Sequence, residues 1–293
     1  MKVYMDFSIK KKTLEYGKMI KFSHTIFALP FALSAVVLAW QTHAPSMVDL
    51  VWILAAMVGA RSAAMGFNRI VDADIDLKNP RTAIREIPAG ILSRKEAVFF
   101  VGISSLVFIF SAAMLSRLCL FLSFPVLLFL LFYSYTKRFT PYCHVYLGAA
   151  ISLAPVGAWV ALTGGLAWGV VFLSLSLMTY IAGFDILYAC QDIDFDRKQG
   201  LHSLPARLGP RKAMQISTFL HILTMGFLGA MYINFGMHPV FLGFLAAIGI
   251  LLVVEHRLVR PDDLSRINMA FFHINSIVSL LLFAGVLAES FFR

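Results

Sequence analysis

The chain has 293 residues, of which 59% are hydrophobic and 14% charged, with a mean hydropathy of +0.80. A soluble domain carries about 25% charged residues, so a water-soluble globular enzyme is excluded. The ten-residue alternation of an outer-membrane barrel is missing as well, and topology accounts for the net charge of +9 without any nucleic acid.

Residues 1–21 contain Lys2, Lys10, Lys11, Lys12 and Lys18 but no small-residue cleavage site ahead of a short apolar core. They are expected to form a cytoplasmic N-terminal segment and not a cleaved signal. Apolar runs long enough to cross ~30 Å of hydrocarbon at ~1.5 Å per residue follow. They lie at 22–41, 47–67, 95–115, 117–135, 143–163, 168–189, 211–235, 238–256 and 269–290. Links such as His43–Ser46 and Asn234–Pro239 are short, which makes neighbouring helices antiparallel. With the N-terminus inside, every Lys and Arg except Arg61, Arg117 and Arg293 falls on the inner side or its helix ends, as the positive-inside rule requires. The expected fold is an all-α polytopic membrane protein: nine transmembrane helices in one bundle, with cytoplasmic cap loops. A single domain is expected over residues 1–293, its C-terminus on the side opposite the N-terminus.

The connections 68–94 and 190–210 then both lie on the cytoplasmic side, four spans apart, which points to an internal duplication. Asn79-Pro80 and Pro88-Ala-Gly90 break the first; Gly200, Pro205 and Gly209-Pro210 break the second. Pro210 suits the first position of span seven. Short helices between these breaks are expected to cap the cytoplasmic mouth.

Each connection opens on an acidic block, Asn68-Arg-Ile-Val-Asp72-Ala-Asp74-Ile-Asp76-Leu-Lys78 and Asp192-Ile-Asp194-Phe-Asp196-Arg-Lys198. Helical positions four apart lie on one stripe, so Asn68, Asp72 and Asp76 align, as do Asp192 and Asp196. Asp74 and Asp194 point elsewhere. Two carboxylates ~4 Å apart repel by about 4 kcal/mol at an effective dielectric of 20, so converging carboxylates need cations. Magnesium takes one or two carboxylates together with substrate phosphate oxygens. Four Asp in two stripes fit two Mg²⁺ ions sharing a diphosphate, with Asn68 adding a neutral oxygen. The plain alternative is a solvated helix end whose Asp residues pair with nearby Lys and Arg; two matched blocks on one side weigh against it.

Arg61, Arg69, Lys78, Arg81, Lys137, Arg138 and Lys198 are the candidate diphosphate-binding cations, because guanidinium forks suit its oxygens. Arg85, Arg197 and Arg207 also follow the two blocks. Arg61 lies within a span, where a charge faces a cavity or a partner. Asp185, a lone carboxylate inside span six, is read as functional for the same reason. Tyr188 shares its interior direction, and His24 meets the interior from span one. Cys119, Cys143 and Cys190 are scattered, so neither a disulfide frame nor a zinc site is signalled.

The paired blocks Asn68-x3-Asp72-x3-Asp76 and Asp192-x3-Asp196 resemble the UbiA superfamily of intramembrane prenyltransferases. The resemblance extends to Asn79–Thr82, Pro88–Gly90, Tyr133–Arg138 (with Tyr135) and Gly200–Gly209, and it covers essentially the whole chain. It implies that Mg²⁺ bridges Asp72, Asp76, Asp192 and Asp196 to a polyprenyl diphosphate, whose allylic C–O bond ionises. The cation then alkylates a small aromatic acceptor such as 4-hydroxybenzoate, ortho to the phenol, in ubiquinone or menaquinone synthesis. His24, Tyr135, Asp185 and Tyr188 would line the acceptor and cation pocket. The resemblance implies a cell (inner) membrane enzyme with no obligate protein partner. Ala73, Lys21 with His24, and His202 depart from the 4-hydroxybenzoate branch, and the chain also resembles bacterial relatives associated with menaquinone made through futalosine. A CDP-alcohol phosphotransferase would need D-G-x-x-A-R, which is missing. A divalent-cation transporter would place its sites near the bilayer midplane.

Overall fold

The computed structural model describes residues 12–292, and the lysines of residues 1–11 lie outside the described residues. Among the described residues nine helices are long and apolar enough to cross a membrane, as expected for a polytopic all-α chain. The principal helices are α1 (Leu29–Trp40), α2 (Met47–Lys78), α3 (Arg94–Leu115), α4 (Arg117–Thr136), α5 (Cys143–Thr163) and α6 (Trp168–Ala189). They continue with the short α7 (Ile193–Lys198) and α8 (Leu204–Leu208), then α9 (Pro210–Phe235), α10 (Val240–Leu258) and α11 (Asn275–Ser290). A 3₁₀ segment, Phe22–Phe27, precedes α1, and a π-helical turn, Ala270–Ile274, precedes α11.

The backbone divides into two compact units, Met1–Thr25 with Trp52–Tyr135 and Ile26–Val51 with Thr136–Arg293. In the first, α2 and α3 cross at glycine. A Cβ on Gly59 would stand 2.7 Å from the Phe108 amide nitrogen and 2.9 Å from the Ser104 carbonyl, and one on Gly66 would stand 2.8 Å from Val101 Cγ2. Small residues of this kind let membrane helices approach closely where lipid offers no hydrophobic drive. Met19, Ile20, Ala73, Ile87, Leu92 and Ala97 form an apolar cluster that ties the N-terminal segment to α2 and α3.

Helix α2 is 32 residues long, about 48 Å at 1.5 Å per residue. That exceeds the ~30 Å hydrocarbon core by about three turns, and the acidic block, residues 68–78, makes up the last three turns of the helix. The expected span ended at residue 67. The helix runs on to Lys78 because the first breaker after Gly66 is Asn79-Pro80, and the residue before a proline disfavours the α region. Residues 79–92 form turns, so the cap helix expected there is not made. Its counterpart in the second connection is made, as α8.

In the second unit, α5 packs on α6 with Gly148 against the Met178 carbonyl, a contact that leaves no room for a Cβ. Gly183 makes the same kind of space for the His221 imidazole of α9. Beside it runs a buried polar network. Tyr180 donates its hydroxyl to both oxygens of Asn275 at 2.8 Å, and the Asn275 amide donates to Glu255 at 2.8 Å. His221 meets His256 at 3.0 Å. Helix α9 begins at Pro210 as expected, behind Gly209 at φ +79°, a left-handed backbone region that glycine reaches without a Cβ penalty.

Candidate active site

The first acidic block is one continuous α-helix, and its residues sort by face as the period requires. Asp72 is 2% exposed and Asp76 4%, and Asn68 Nδ2 donates to Asp72 Oδ2 at 3.0 Å. Asp74 lies on the outer side and pairs with Arg94. The stripe Asn68, Asp72, Asp76 is therefore formed.

Asp76 is not held by helix neighbours alone. Arg85, from the turn region, donates to both of its oxygens at 2.7 Å, while Thr82 donates its hydroxyl to the Asp76 carbonyl at 3.0 Å. Asn79 Oδ1 accepts from the Arg81 amide, which fixes the turn just after the helix. Lys78 is exposed. Arg69, expected at the diphosphate, is 5% exposed and donates Nε to the Met19 carbonyl at 3.0 Å. Arg61 donates Nη2 to the Lys21 carbonyl at 3.2 Å, while its buried Nε has no partner. His24 lies half-buried in the 3₁₀ segment of the same unit, and Tyr135 packs edge-on against Phe67.

The second block departs from the expected stripe. The Cys190 amide bonds to the Leu187 and Tyr188 carbonyls, which tightens the chain into a 3₁₀ turn over Cys190–Asp192. Asp192 then closes that turn at φ −105°, ψ 8°, and α7 starts afresh. Asp192 and Asp196 thus sit on two short elements and not on one regular helix. Asp194 is exposed, as its register predicts. Ser203 donates its hydroxyl to Asp196 Oδ2 at 2.7 Å. Arg197 donates Nε to the Ala206 carbonyl at 2.7 Å, and the His202 amide donates to the Lys137 carbonyl at 2.7 Å. These bonds fold residues 199–203 back over α7 beside Lys137 and the half-buried Arg138. Lys198 is exposed. A recess of about 350 Å³ is lined by Arg197, Leu201, His202, Ser203, Ala206 and Arg207.

Asp185 is not alone. Its Oδ2 accepts from His144 Nδ1 at 2.7 Å, across the α5–α6 interface. Tyr188 lies against Phe271 with ring centroids 4.1 Å apart. Sequence reasoning missed Arg85 as the partner of Asp76, Ser203 as the partner of Asp196, and His144 altogether. Arg85 and Ser203 stood in the basic and glycine-flanked stretches behind each block; an isolated His at a helix start gives no pattern.

The metal fit rests on the donor chemistry. Among the described residues no group of three or more His, Cys, Asp or Glu side chains forms a ready-made metal cage. Magnesium does not require one, since it keeps waters and uses one or two carboxylates plus substrate phosphates. A buried Asp72 beside the Asn68 amide, and an Asp76 already balanced by a cation, are hard oxygen donors of that kind.

The UbiA prenyltransferase family model matches residues 28–277. The chain is 32% identical over 260 residues to the 4-hydroxybenzoate octaprenyltransferase of Nitrosomonas eutropha, covering 83% of this chain and 84% of the relative. It is 31% identical over 251 residues to the enzyme of the same name from Nitrosomonas europaea, covering 84% of each. Its fold matches the apo structure of a UbiA homolog from Aeropyrum pernix K1 with a TM-score of 0.82 and 32% identity, over 91% of this chain and 98% of that one. A UbiA homolog from Archaeoglobus fulgidus bound to DMAPP and Mg²⁺ shares the fold at TM-score 0.73 and 18% identity, over 95% of this chain and all of that one. The polytopic helical fold, the two acidic blocks and the match over most of the sequence agree: the chain belongs to the UbiA prenyltransferase family.

Proposed function

We propose that the protein transfers a polyprenyl group from a polyprenyl diphosphate to a phenolic aromatic acid, 4-hydroxybenzoate or a close analogue. The observation that supports this best is the first block: two carboxylates, Asp72 and Asp76, buried on one helical stripe in the last turns of α2. Each acidic block contributes to holding the donor, Asn68, Asp72 and Asp76 from one and Asp192 and Asp196 from the other. Two Mg²⁺ ions, when bound by these carboxylates and the donor, supply charge neutralisation for a departing diphosphate.

The chain's own groups do the rest. Arg85 orients Asp76 through both of its oxygens, and a guanidinium fork of this kind also suits diphosphate oxygens. Arg81, Lys78, Lys137, Arg138, Lys198 and Arg61 supply further positive charge for the leaving anion. Asn68 orients Asp72. Ser203 orients Asp196. His24 and Tyr135 of the first unit and Asp185 and Tyr188 of the second are the candidates for the acceptor and the allylic cation, and aromatic faces such as that of Tyr188 tolerate a cation at close range. We read residues 1–293 as one catalytic domain in the cell inner membrane, with the N-terminus and both blocks in the cytoplasm and the C-terminus opposite.

Reconstituted protein incubated with Mg²⁺, polyprenyl diphosphates of several lengths and a series of phenolic acids tests the reading by mass spectrometry of the lipid extract. A prenylated acid with stoichiometric diphosphate release is the expected result. Consumption of no donor with any acceptor would refute it. The series includes aromatic menaquinone precursors, because Ala73 and His202 depart from the 4-hydroxybenzoate branch.

A further inference from the structure

Among the described residues Lys21 is the one residue other than glycine held at positive φ, at +50°. A side chain there is strained, and such strain persists only where the surroundings fix it. The fixing groups come from α2. Arg69 donates Nε to the Met19 carbonyl at 3.0 Å, and Arg61 donates Nη2 to the Lys21 carbonyl at 3.2 Å. Ahead of the turn, residues 12–19 are helical. Met19 and Ile20 are buried in the apolar cluster with Ala73 and Leu92, and Tyr16 stacks on Phe100 of α3 with ring centroids 4.8 Å apart. The segment is thus seated beside the first acidic block, since Ala73 follows Asp72 directly.

The turn places the Lys21 ammonium among other cations. Partial burial holds its pKa below the ordinary lysine value, and the charges of Arg69, Arg85 and Arg81 push the same way against that of Glu86. The residue as a whole stays exposed, so a ligand can reach it. Arg85 is paired with Asp76, whereas Arg69 donates to a carbonyl, which carries no charge. Like charges gathered in this way repel one another. An anion with several charged oxygens, such as a diphosphate, is their complement.

Resting on the prenyl-transfer reading above, we infer that Lys21 is a further diphosphate-binding residue, delivered by the N-terminal segment, and that Arg69 is its positioning residue. The Lys21 ammonium donates to diphosphate oxygens alongside Arg81 and Arg85. Arg69 does not touch the donor. It holds the Met19 carbonyl, and through it the turn that aims Lys21. The segment ahead of span one is then part of the donor site, beyond its basic residues setting topology.

The test measures binding of inorganic diphosphate with Mg²⁺ by calorimetry, and the KM values of donor and acceptor beside it, for wild type, Lys21→Gln, Lys21→Arg and Lys21→Gly. Lys21→Gln is expected to weaken diphosphate binding at least about tenfold, the scale of one charge-assisted hydrogen bond. Donor KM should rise by a similar factor while acceptor KM stays unchanged. Lys21→Arg, which keeps the charge, should recover most of the affinity. Lys21→Gly removes the charge and the left-handed strain together. It should melt no lower than wild type in detergent, yet bind as weakly as Lys21→Gln. Arg69→Gln should weaken binding too, and adding Lys21→Gln to it should change little, because residues that act through one contact are not additive. Wild-type affinity in Lys21→Gln or Lys21→Gly overturns the inference, and full additivity in the double variant overturns the role of Arg69. A rise in acceptor KM with diphosphate affinity unchanged assigns Lys21 to the acceptor and overturns it as well. Should Arg69→Gln fail to fold, Arg69→Lys takes its place in the comparison. If the wild type binds no diphosphate with Mg²⁺ and consumes no donor, the transfer reading fails instead, and the two failures are distinct.

Discussion

Arg85 grips Asp76 through both carboxylate oxygens at 2.7 Å, nine residues along the chain and across the turn that ends α2. Asp76 is 4% exposed, and a buried carboxylate in the first block therefore already has its own counter-cation. Truncating one partner of such a pair leaves an uncompensated charge, at a cost of about 3 kcal/mol. Arg85→Ala should accordingly lower the melting temperature in detergent with chelator present. Adding Mg²⁺, or the second change Asp76→Asn, should recover most of the loss. Equal melting of Arg85→Ala and wild type in chelator would show that the pair holds nothing in place.

Asp74 and Asp72 stand two residues apart and should behave as opposites. Asp74 meets Arg94 at the surface, with 77% of its side chain exposed, and such pairs contribute about 0–1 kcal/mol. Asp74→Ala should keep prenyl-transfer activity within about twofold of wild type. Steady-state rates that fall a hundredfold in Asp74→Ala would mean that the helical sorting of the block is misread.

The buried network around Asn275 is structural. Its amide donates to Glu255 at 2.8 Å and also to the carbonyls of Phe271 and Ala270, at 3.1 and 3.3 Å, in the π-helical turn. Asn275→Leu removes these bonds and strands the Glu255 carboxyl, a loss of about 2–4 kcal/mol. Melting in detergent should report it, while the Mg²⁺ concentration for half-maximal activity of the folded fraction stays unchanged. A shifted Mg²⁺ midpoint with unaltered stability would assign the network to the reaction.

Two glycines of α5 make a controlled pair. A Cβ on Gly148 would press into the Met178 carbonyl, whereas one on Gly157 meets nothing within 4 Å. Gly148→Ala should destabilise by about 1–3 kcal/mol through overpacking, and Gly157→Ala should be neutral or stabilise by up to about 1 kcal/mol through helix propensity. Comparable melting temperatures for the two variants would contradict the close α5–α6 crossing.

The membrane class, the spans and the register of the first block were legible because they depend on run length and on the 3.6-residue period alone. Asp74 facing outward followed from that period. What the period cannot carry is a change of helix type: the 3₁₀ turn over Cys190–Asp192 arises from a bifurcated backbone bond and leaves no side-chain signature. Nor does it carry pairings across turns or between helices. Arg85 reaches Asp76 only because residues 79–92 fold back in turns, and His144 reaches Asp185 only because α5 packs on α6. Asp185 therefore looked like a lone buried charge in one dimension and is half of a dyad in three.

In the proposed reaction both acidic blocks serve one Mg²⁺-dependent ionisation of a prenyl diphosphate. It is tested most directly by diphosphate release from purified wild type, Asp72→Ala and Asp192→Ala, each with Mg²⁺, a polyprenyl diphosphate and 4-hydroxybenzoate, and each first shown to melt like wild type. The account predicts Mg²⁺-dependent release by the wild type and a loss of at least about a thousandfold in each variant, on the scale of removing a stabiliser of developing charge. Wild-type release from either variant would contradict it.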